Sequence, residues 1–220
     1  MRVDRCFAFV DLCGFTAFTE RYGDEHTVVV LANFRTKLRE IAARRGVRIT
    51  KWLGDGAMLS SQEGEPVVSL TIELAARTDP RAVPLQIRGG LALGPVVMFE
   101  GDDYIGRAIN VAARLCDAAT PGQVLATREV VAVAPRWVAA GEPLPYEMPG
   151  FDRTIDACRL EIGKSAATVT DSYCGLVIPA DAYLATRVDG EGEIHYFCST
   201  ACALAWEQEQ RVDLSPLLGD

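Results

Sequence analysis

The chain has no surplus of positive charge: 22 Lys and Arg stand against 30 Asp and Glu, for a formal net charge of -8. Nucleic-acid binding leans on clustered Lys and Arg, so this balance argues against a polyanion-binding surface, although not against a nucleotide held with cations. Long hydrophobic runs are also missing. The longest apolar stretches, such as "VVVLANF", fall far short of a membrane span, and no basic N-terminal start leads into an apolar run and a small-residue cleavage site. A soluble, cytoplasmic protein is expected, with neither nucleic acid nor membrane among its partners. There is no paired cysteine framework either. The seven cysteines are odd in number and irregularly spaced, and three gather near the C-terminus, which suits metal in a reducing compartment better than disulfides.

What is present is 49% apolar content over 220 residues, enough for one substantial core plus a small appendage. "RCFAFVDL" reads as a buried strand, and Asp24 to Arg45 carries helical spacing through Val28, Leu31, Phe34, Leu38 and Ile41. The hairpin "RITKWLGDGAML" follows at residues 48 to 59, then a helix around Pro66 to Arg77 and a strand pair, "LQIRGGLAL" and "PVVMF", divided at Gly94 and Pro95. A second clear helix runs from about Ile105 to Ala118, followed by the strand "GQVLAT", a short helix and closing strands that end in "RTIDACRLEI". The order β-α-β-β-α-β predicts an α+β domain over residues 1 to 162, with a mostly antiparallel sheet, helices on one face and the other face left for a partner. "GKSAATVT" at 163 to 170 reads as a linker, and residues 171 to 220 as a separate small module.

Three segments carry candidate chemistry. In "WLGDGAM" the glycines mark a turn, and Asp55 between them is by itself an ordinary turn residue. In "FVDLCGFT", Asp11 stands where the apolar run gives way to a Gly turn; by itself it is an ordinary strand-end cap or turn residue, beside backbone amides of Gly14, Phe15 and Thr16 that can face a phosphate. Brought together on adjacent strands, Asp11 and Asp55 repel unless a proton or a divalent cation sits between them, which makes a hard-cation site for an ion such as Mg²⁺. In "DDYIGRAINVAARL", Asn110 and Arg114 are four residues apart and share a helix face, either as a solvated surface pair or as ligands for ribose and phosphate.

Together these segments resemble the catalytic domain of the class III adenylate and guanylate cyclases, over residues 5 to 162 and in that family's order: "FVDLCGFT", "ITKWLGDGAM", "IRGGLALGPVV" and "DYIGRAINVAARL" followed by "PGQVLA". The resemblance implies a ferredoxin-like βαββαβ core and production of 3′,5′-cyclic AMP and pyrophosphate from ATP. It implies two Mg²⁺ or Mn²⁺ ions per site on Asp11, Asp55 and the Leu12 backbone, with Lys51 and Asp103 reading adenine. Asp103 rather than Asp102 stands at the family's seven-residue interval from Asn110. Asn110 is implied to hold the ribose and Arg114 to stabilise the transition state, with Arg88, Phe15 and Thr16 against the phosphates. The family builds each site from two chains, which implies a homodimer with two shared sites. Lys51 donates to adenine N1 and Asp103 accepts from its amino group, whereas guanine presents the reverse pattern, so guanylate cyclase activity is the disfavoured variant. The chain departs from the family at Pro149, where a phosphate-gripping lysine is common and Arg153 is the nearby substitute, and in its short segment before Asp103.

The C-terminal part places Cys174 in "DSYCGLVI" and Cys198 and Cys202 in "IHYFCSTACALAW". This resembles the small TRASH and YHS modules, which implies a thiolate site for Zn²⁺ or Cu⁺, with Asp171, His195, a second chain or water as the fourth ligand; a packed pair of buried thiols is the alternative. Such a module makes a metal-responsive regulator, in which the cyclase fold only binds nucleotide, the competing function. Cys6, Cys13, Cys116 and Cys158 lie in core-like runs and are expected to be structural.

Overall fold

The computed structural model describes residues 1–99 and 103–214. The chain divides into two compact units, residues 1–134 with 140–161, and residues 135–139 with 162–220. The first unit begins with β1 (Arg2–Leu12), α1 (Phe15–Arg45), β2 (Arg48–Leu53), β3 (Gly56–Ser61), α2 (Gly64–Arg77) and β4 (Ile87–Phe99). It continues with β5 (Asp103–Ile105), α3 (Arg107–Ala118), β6 (Val124–Thr127) and α4 (Arg128–Val131). The remaining strands are β7 (Val138–Ala140), of which Val138 and Ala139 group with the second unit, β8 (Leu144–Tyr146) and β9 (Ile155–Ile162). The sheet order is β2-β3-β1-β4-β6-β9-β7, with β5 on β4 and β8 on β9. Pairing is antiparallel along β2-β3-β1-β4 and between β6 and β9, and parallel between β4 and β6, so the sheet is mixed.

Helices cover this sheet on both faces, and the expectation of a single covered face is corrected. Successive strand residues point to opposite faces. A Cβ on Gly89 would lie 2.9 Å from Thr71 of α2, and one on Gly90 would lie 2.1 Å from the Cys116 nitrogen of α3. The double glycine thus brings a helix close on each side, and the consecutive Cys6, Phe7 and Ala8 of central β1 are all fully buried. On the α3 side, Val111, Ala112 and Leu115 pack with Phe7, Met58, Ala92 and Leu125.

Two local expectations also change. A helical segment precedes the expected helix: α1 opens at Phe15, and Gly23, at φ 80 and ψ 168, separates these first turns from the helix that follows from Asp24 to Arg45 as expected. That positive φ suits glycine, so the chain kinks there between two helical stretches. β4 runs unbroken through Gly94 and Pro95. Pro95 lies between the stretches of β4 paired by β6 (Gly89–Leu91) and by β5 (Val97–Phe99), so its missing N–H breaks neither of those ladders. On α2, the fully buried Glu73 accepts from Arg45 Nε and Nη2 at 2.9 and 2.7 Å and also pairs with Arg44, fastening α2 to the end of α1.

The second unit holds β10 (Thr168–Thr170) paired with β11 (Val177–Pro179), β12 (Ala185–Val188) paired with β13 (Ile194–Phe197), and α5 (Thr200–Leu214). Residues 135–139 group with it rather than with the first unit. The cause is Trp137, which is fully buried, donates from Nε1 to Cys198 O at 2.8 Å and accepts from Gly163 N at 2.8 Å. The stretch read as a linker is partly structured, because the β-branched run Thr168–Thr170 finds a partner strand.

Candidate functional site

β1 is hydrogen-bonded on both sides, and the register sets Asp11 between Gly56 of β3 and Arg88 of β4 in one row across the sheet. Arg88 donates Nε and Nη2 to Asp11 Oδ2 at 3.0 and 2.7 Å, and Nη1 to the Asp117 carbonyl at 3.1 Å. The second carboxylate oxygen faces the other way: a Cβ on Gly56 would come 3.1 Å from Asp11 Oδ1 and 2.6 Å from Val10 O. Only glycine leaves that space.

Asp55 occupies the two-residue turn between Leu53 and Gly56, where Gly54 takes φ 65. Burial raises the Asp55 pKa above the ordinary carboxylate value, and the neighbouring Asp11 charge adds to this, against a lowering by the backbone N–H of Asp55 itself and by Arg88. The turn thus sets the Asp55 carboxylate where the Asp11 side chain acts on it. Two oxygen-donor acids, with the Asp11 charge disfavouring ionisation of Asp55, form a donor set that fits a hard divalent cation. Leu12 is buried at the end of β1, and Phe15 and Thr16 open α1, whose first-turn amides lack helical partners.

The remaining candidate residues form two further groups. Lys51 of β2 and Asp103 of β5 are ion-paired and half exposed. Asn110 and Arg114 lie on the exposed face of α3, with Arg114 Nη1 3.1 Å from Asp117 Oδ2. Arg153 lines a cleft of about 500 Å³ with Glu147, Met148, Pro149, Phe151 and Asp152. Asp102 lies outside the described residues.

Cys13 is not the core thiol expected from the sequence. It is half buried and interacts electrostatically with Arg88, Asp11 and Asp55; burial raises its pKa, and Arg88 opposes that rise. Cys6 and Cys116 are buried, each with its thiol pushed up to about 12 by burial, and Cys158 is buried too. Asp117 was not singled out from sequence; its spacing of three from Arg114 was the available signal.

In the second unit Asp171, Cys174, Cys198 and Cys202 are all buried, with their ligand atoms within 4.8 Å of one another. Cys198 Sγ lies 3.8 Å from Cys174 Sγ and 3.7 Å from Cys202 Sγ. Asp171 Oδ1 accepts from the amides of Tyr173 and Cys174 at 2.9 and 2.8 Å, and Oδ2 from the Cys198 amide at 2.6 Å. One carboxylate thus ties together the loops that carry two of the thiols. His195 does not join this cluster: its Nε2 lies 3.1 Å from Asp189 Oδ2, its Nδ1 3.1 Å from Ser172 Oγ, and its ring packs on Trp206.

No family model matches the chain. An uncharacterized protein of Mycobacterium tuberculosis is 36% identical over 152 residues, 69% of this chain and 40% of that protein. A pH-sensitive adenylate cyclase of the same species is 31% identical over 164 residues, 71% of this chain and 40% of that protein. The chain therefore spans 40% of the length of either relative. The crystal structure of the adenylyl cyclase CyaB from P. aeruginosa superposes with a TM-score of 0.66 at 25% identity, covering 76% of this chain and 98% of that one. No described helix is long and apolar enough to cross a membrane. The first unit has the catalytic-domain fold of the class III adenylyl and guanylyl cyclases.

Proposed function

We propose that the first unit is an adenylate cyclase, converting ATP to 3′,5′-cyclic AMP and pyrophosphate at two equivalent sites in a homodimer. The observation that carries this reading is the row Gly56, Asp11, Arg88, with Asp55 turned in beside it. Asp11 and Asp55 would hold two Mg²⁺ or Mn²⁺ ions, with the Leu12 backbone as a further ligand; when bound, the ions favour the ribose 3′-oxygen as nucleophile and offset triphosphate charge. Arg88 and the first amides of α1, at Phe15 and Thr16, face the phosphates. From the second copy, Lys51 and Asp103 read the adenine edge, and their mutual ion pair holds both side chains ready for it. Asn110 orients the ribose, and Arg114 stabilises charge at the α-phosphorus, an effect of about 3 kcal/mol for a well-placed donor. The exposure of both residues on one face of α3 fits delivery to a partner's acids. Seven cysteines outside any disulfide favour a reducing, cytoplasmic setting.

The test is cyclic AMP production from ATP and Mn²⁺ by the purified chain across a dilution series. Activity per chain should fall on dilution as dimers part, and GTP should be the poorer substrate. Absence of cyclic AMP at every concentration sinks the reading.

The second unit favours an added role. Three buried thiols within bonding reach of one ion fit a TRASH-like centre for Zn²⁺ or Cu⁺, and metal uptake there would regulate the cyclase. Chelation that removes bound metal and leaves both activity and assembly unchanged counts against regulation.

A further inference from the structure

The β2–β3 pairing closes the Asp55 turn at Leu53 and Gly56, and Gly54 within it takes φ 65, a conformation open to glycine; a further restraint acts from outside the hairpin. The restraint comes from α1. Arg35 Nη2 donates to the Gly54 carbonyl at 2.9 Å, the oxygen of the peptide that joins Gly54 to Asp55. Arg35 is itself held by Trp52, the residue after Lys51: its guanidinium carbon lies 4.9 Å from the ring centroid, and that of Arg39, one helical turn on, lies at 5.0 Å. Arg35 Nε is buried with no hydrogen-bond partner among the described residues, and the guanidinium is placed by the Gly54 carbonyl and the Trp52 ring.

We infer that Arg35 is a positioning residue for Asp55: clamped against Trp52, its guanidinium fixes the Gly54–Asp55 peptide and thereby sets the Asp55 carboxylate against Asp11. One stack then spans from beside the adenine-reading Lys51 to the cation-holding Asp55. The inference rests on the cyclase reading of the same residues. A fixed peptide raises the fraction of molecules in which both acids can share an ion, so its loss acts on cation binding before it acts on ATP binding.

The experiment measures Mn²⁺ binding by electron paramagnetic resonance, with 3′-deoxy-ATP present, in the wild type and in Arg35→Gln, Arg35→Lys and Arg35→Ala, together with melting curves and cyclisation kinetics. Arg35→Gln keeps an apolar stem on Trp52 and guards against loss of the fold. About tenfold weaker Mn²⁺ binding is expected in Arg35→Gln and Arg35→Ala, from loss of a charged hydrogen bond. The Mn²⁺ required for half-maximal cyclisation should rise in parallel, with the KM for ATP within about twofold of wild type and part of the loss recovered by Arg35→Lys. Unchanged Mn²⁺ binding in the folded variants overturns the inference. So does a loss that follows melting temperature alone with no recovery by lysine. A wild type that binds Mn²⁺ with the analogue yet makes no cyclic AMP defeats the cyclase reading and leaves the Arg35 comparison decisive; a wild type that binds no Mn²⁺ defeats both.

Discussion

Arg88 and Asp11 face each other across neighbouring strands, and the guanidinium puts two donors on a single carboxylate oxygen, at 3.0 and 2.7 Å. The other oxygen is left toward Gly56 and the Asp55 turn. The arrangement divides Asp11 between a permanent cation and a shared site, and the two compete for its charge. Replacing Arg88 by Gln should therefore lower the Mn²⁺ concentration needed for half-maximal activity while raising the KM for ATP, if Arg88 faces the phosphates as proposed. Opposite movement of the two parameters, read from initial rates over a grid of Mn²⁺ and ATP, is the expected signature.

Gly56 tests the packing side of the same row. A methyl at this position would meet Val10 O at 2.6 Å, a backbone atom that can move only with β1. Gly56→Ala should cost about 2 kcal/mol of stability, of the order found for overpacked cores, and should abolish activity. Chemical denaturation and a cyclase assay on the folded fraction separate the two effects. A fully active alanine variant would mean that Asp11 Oδ1 does not need the gap.

Much of this row was legible in the sequence, because strand alternation and turn chemistry are local. The apolar run ending in Asp11 and the glycine-flanked Asp55 each follow from a few neighbouring residues, and β1 and the β2–β3 turn stand where those signals put them. What was missed depended on distant partners. The helical turns that start at Phe15 were hidden by Gly23, whose non-helical conformation separates them from the helix that follows. Both-face coverage of the sheet could have been read from "RGG" only by knowing that α2 and α3 press on alternate glycines. Cys13 looked like a core residue because it follows an apolar strand, yet it lies past the strand's end beside the charged row. Residues 135–139 joined the second unit through one tryptophan, a contact that spacing does not reveal.

Asp55 offers a trade between stability and activity. In the folded protein, burial and then Asp11 raise its carboxyl pKa, so the ionised form is held less favourably than in the unfolded chain. The sign follows: the protonated form is relatively favoured, folding gains as pH falls through the raised value, and ionised Asp55 weakens the metal-free fold above it. Asp55→Asn should therefore melt higher than wild type near neutral pH without divalent ions, on the order of a degree or two, and make no cyclic AMP. Calorimetry at neutral and acid pH checks it, and the difference should shrink in acid.

Lys51 and Asp103 are half exposed, and a surface ion pair of this kind contributes at most about 1 kcal/mol to folding. Lys51→Glu should leave the melting temperature nearly unchanged and cut kcat/KM for ATP at least about tenfold, because two carboxylates then face the adenine edge. Undiminished ATP turnover would show that the lysine does not read the base.

The thiol cluster of the second unit separates ligand from scaffold. Each sulfur has at least one sulfur neighbour within 3.8 Å, whereas both oxygens of Asp171 are already engaged by backbone amides. A thiolate binds metal only after losing its proton, and the Cys174 thiol is raised above its ordinary value even though its bond to Cys198 works the other way. Metal uptake should accordingly release protons and weaken as pH falls. Cys174→Ser or Cys202→Ser should remove most bound Zn²⁺ or Cu⁺, measured by elemental analysis after gel filtration. Asp171→Asn should retain metal but lower the melting temperature, since it loses one charged acceptor for the amides that hold the loops, a cost of about 1 to 3 kcal/mol. If Asp171→Asn instead empties the site while the fold survives, the carboxylate is the fourth ligand, and the amide bonds serve to aim it at the ion.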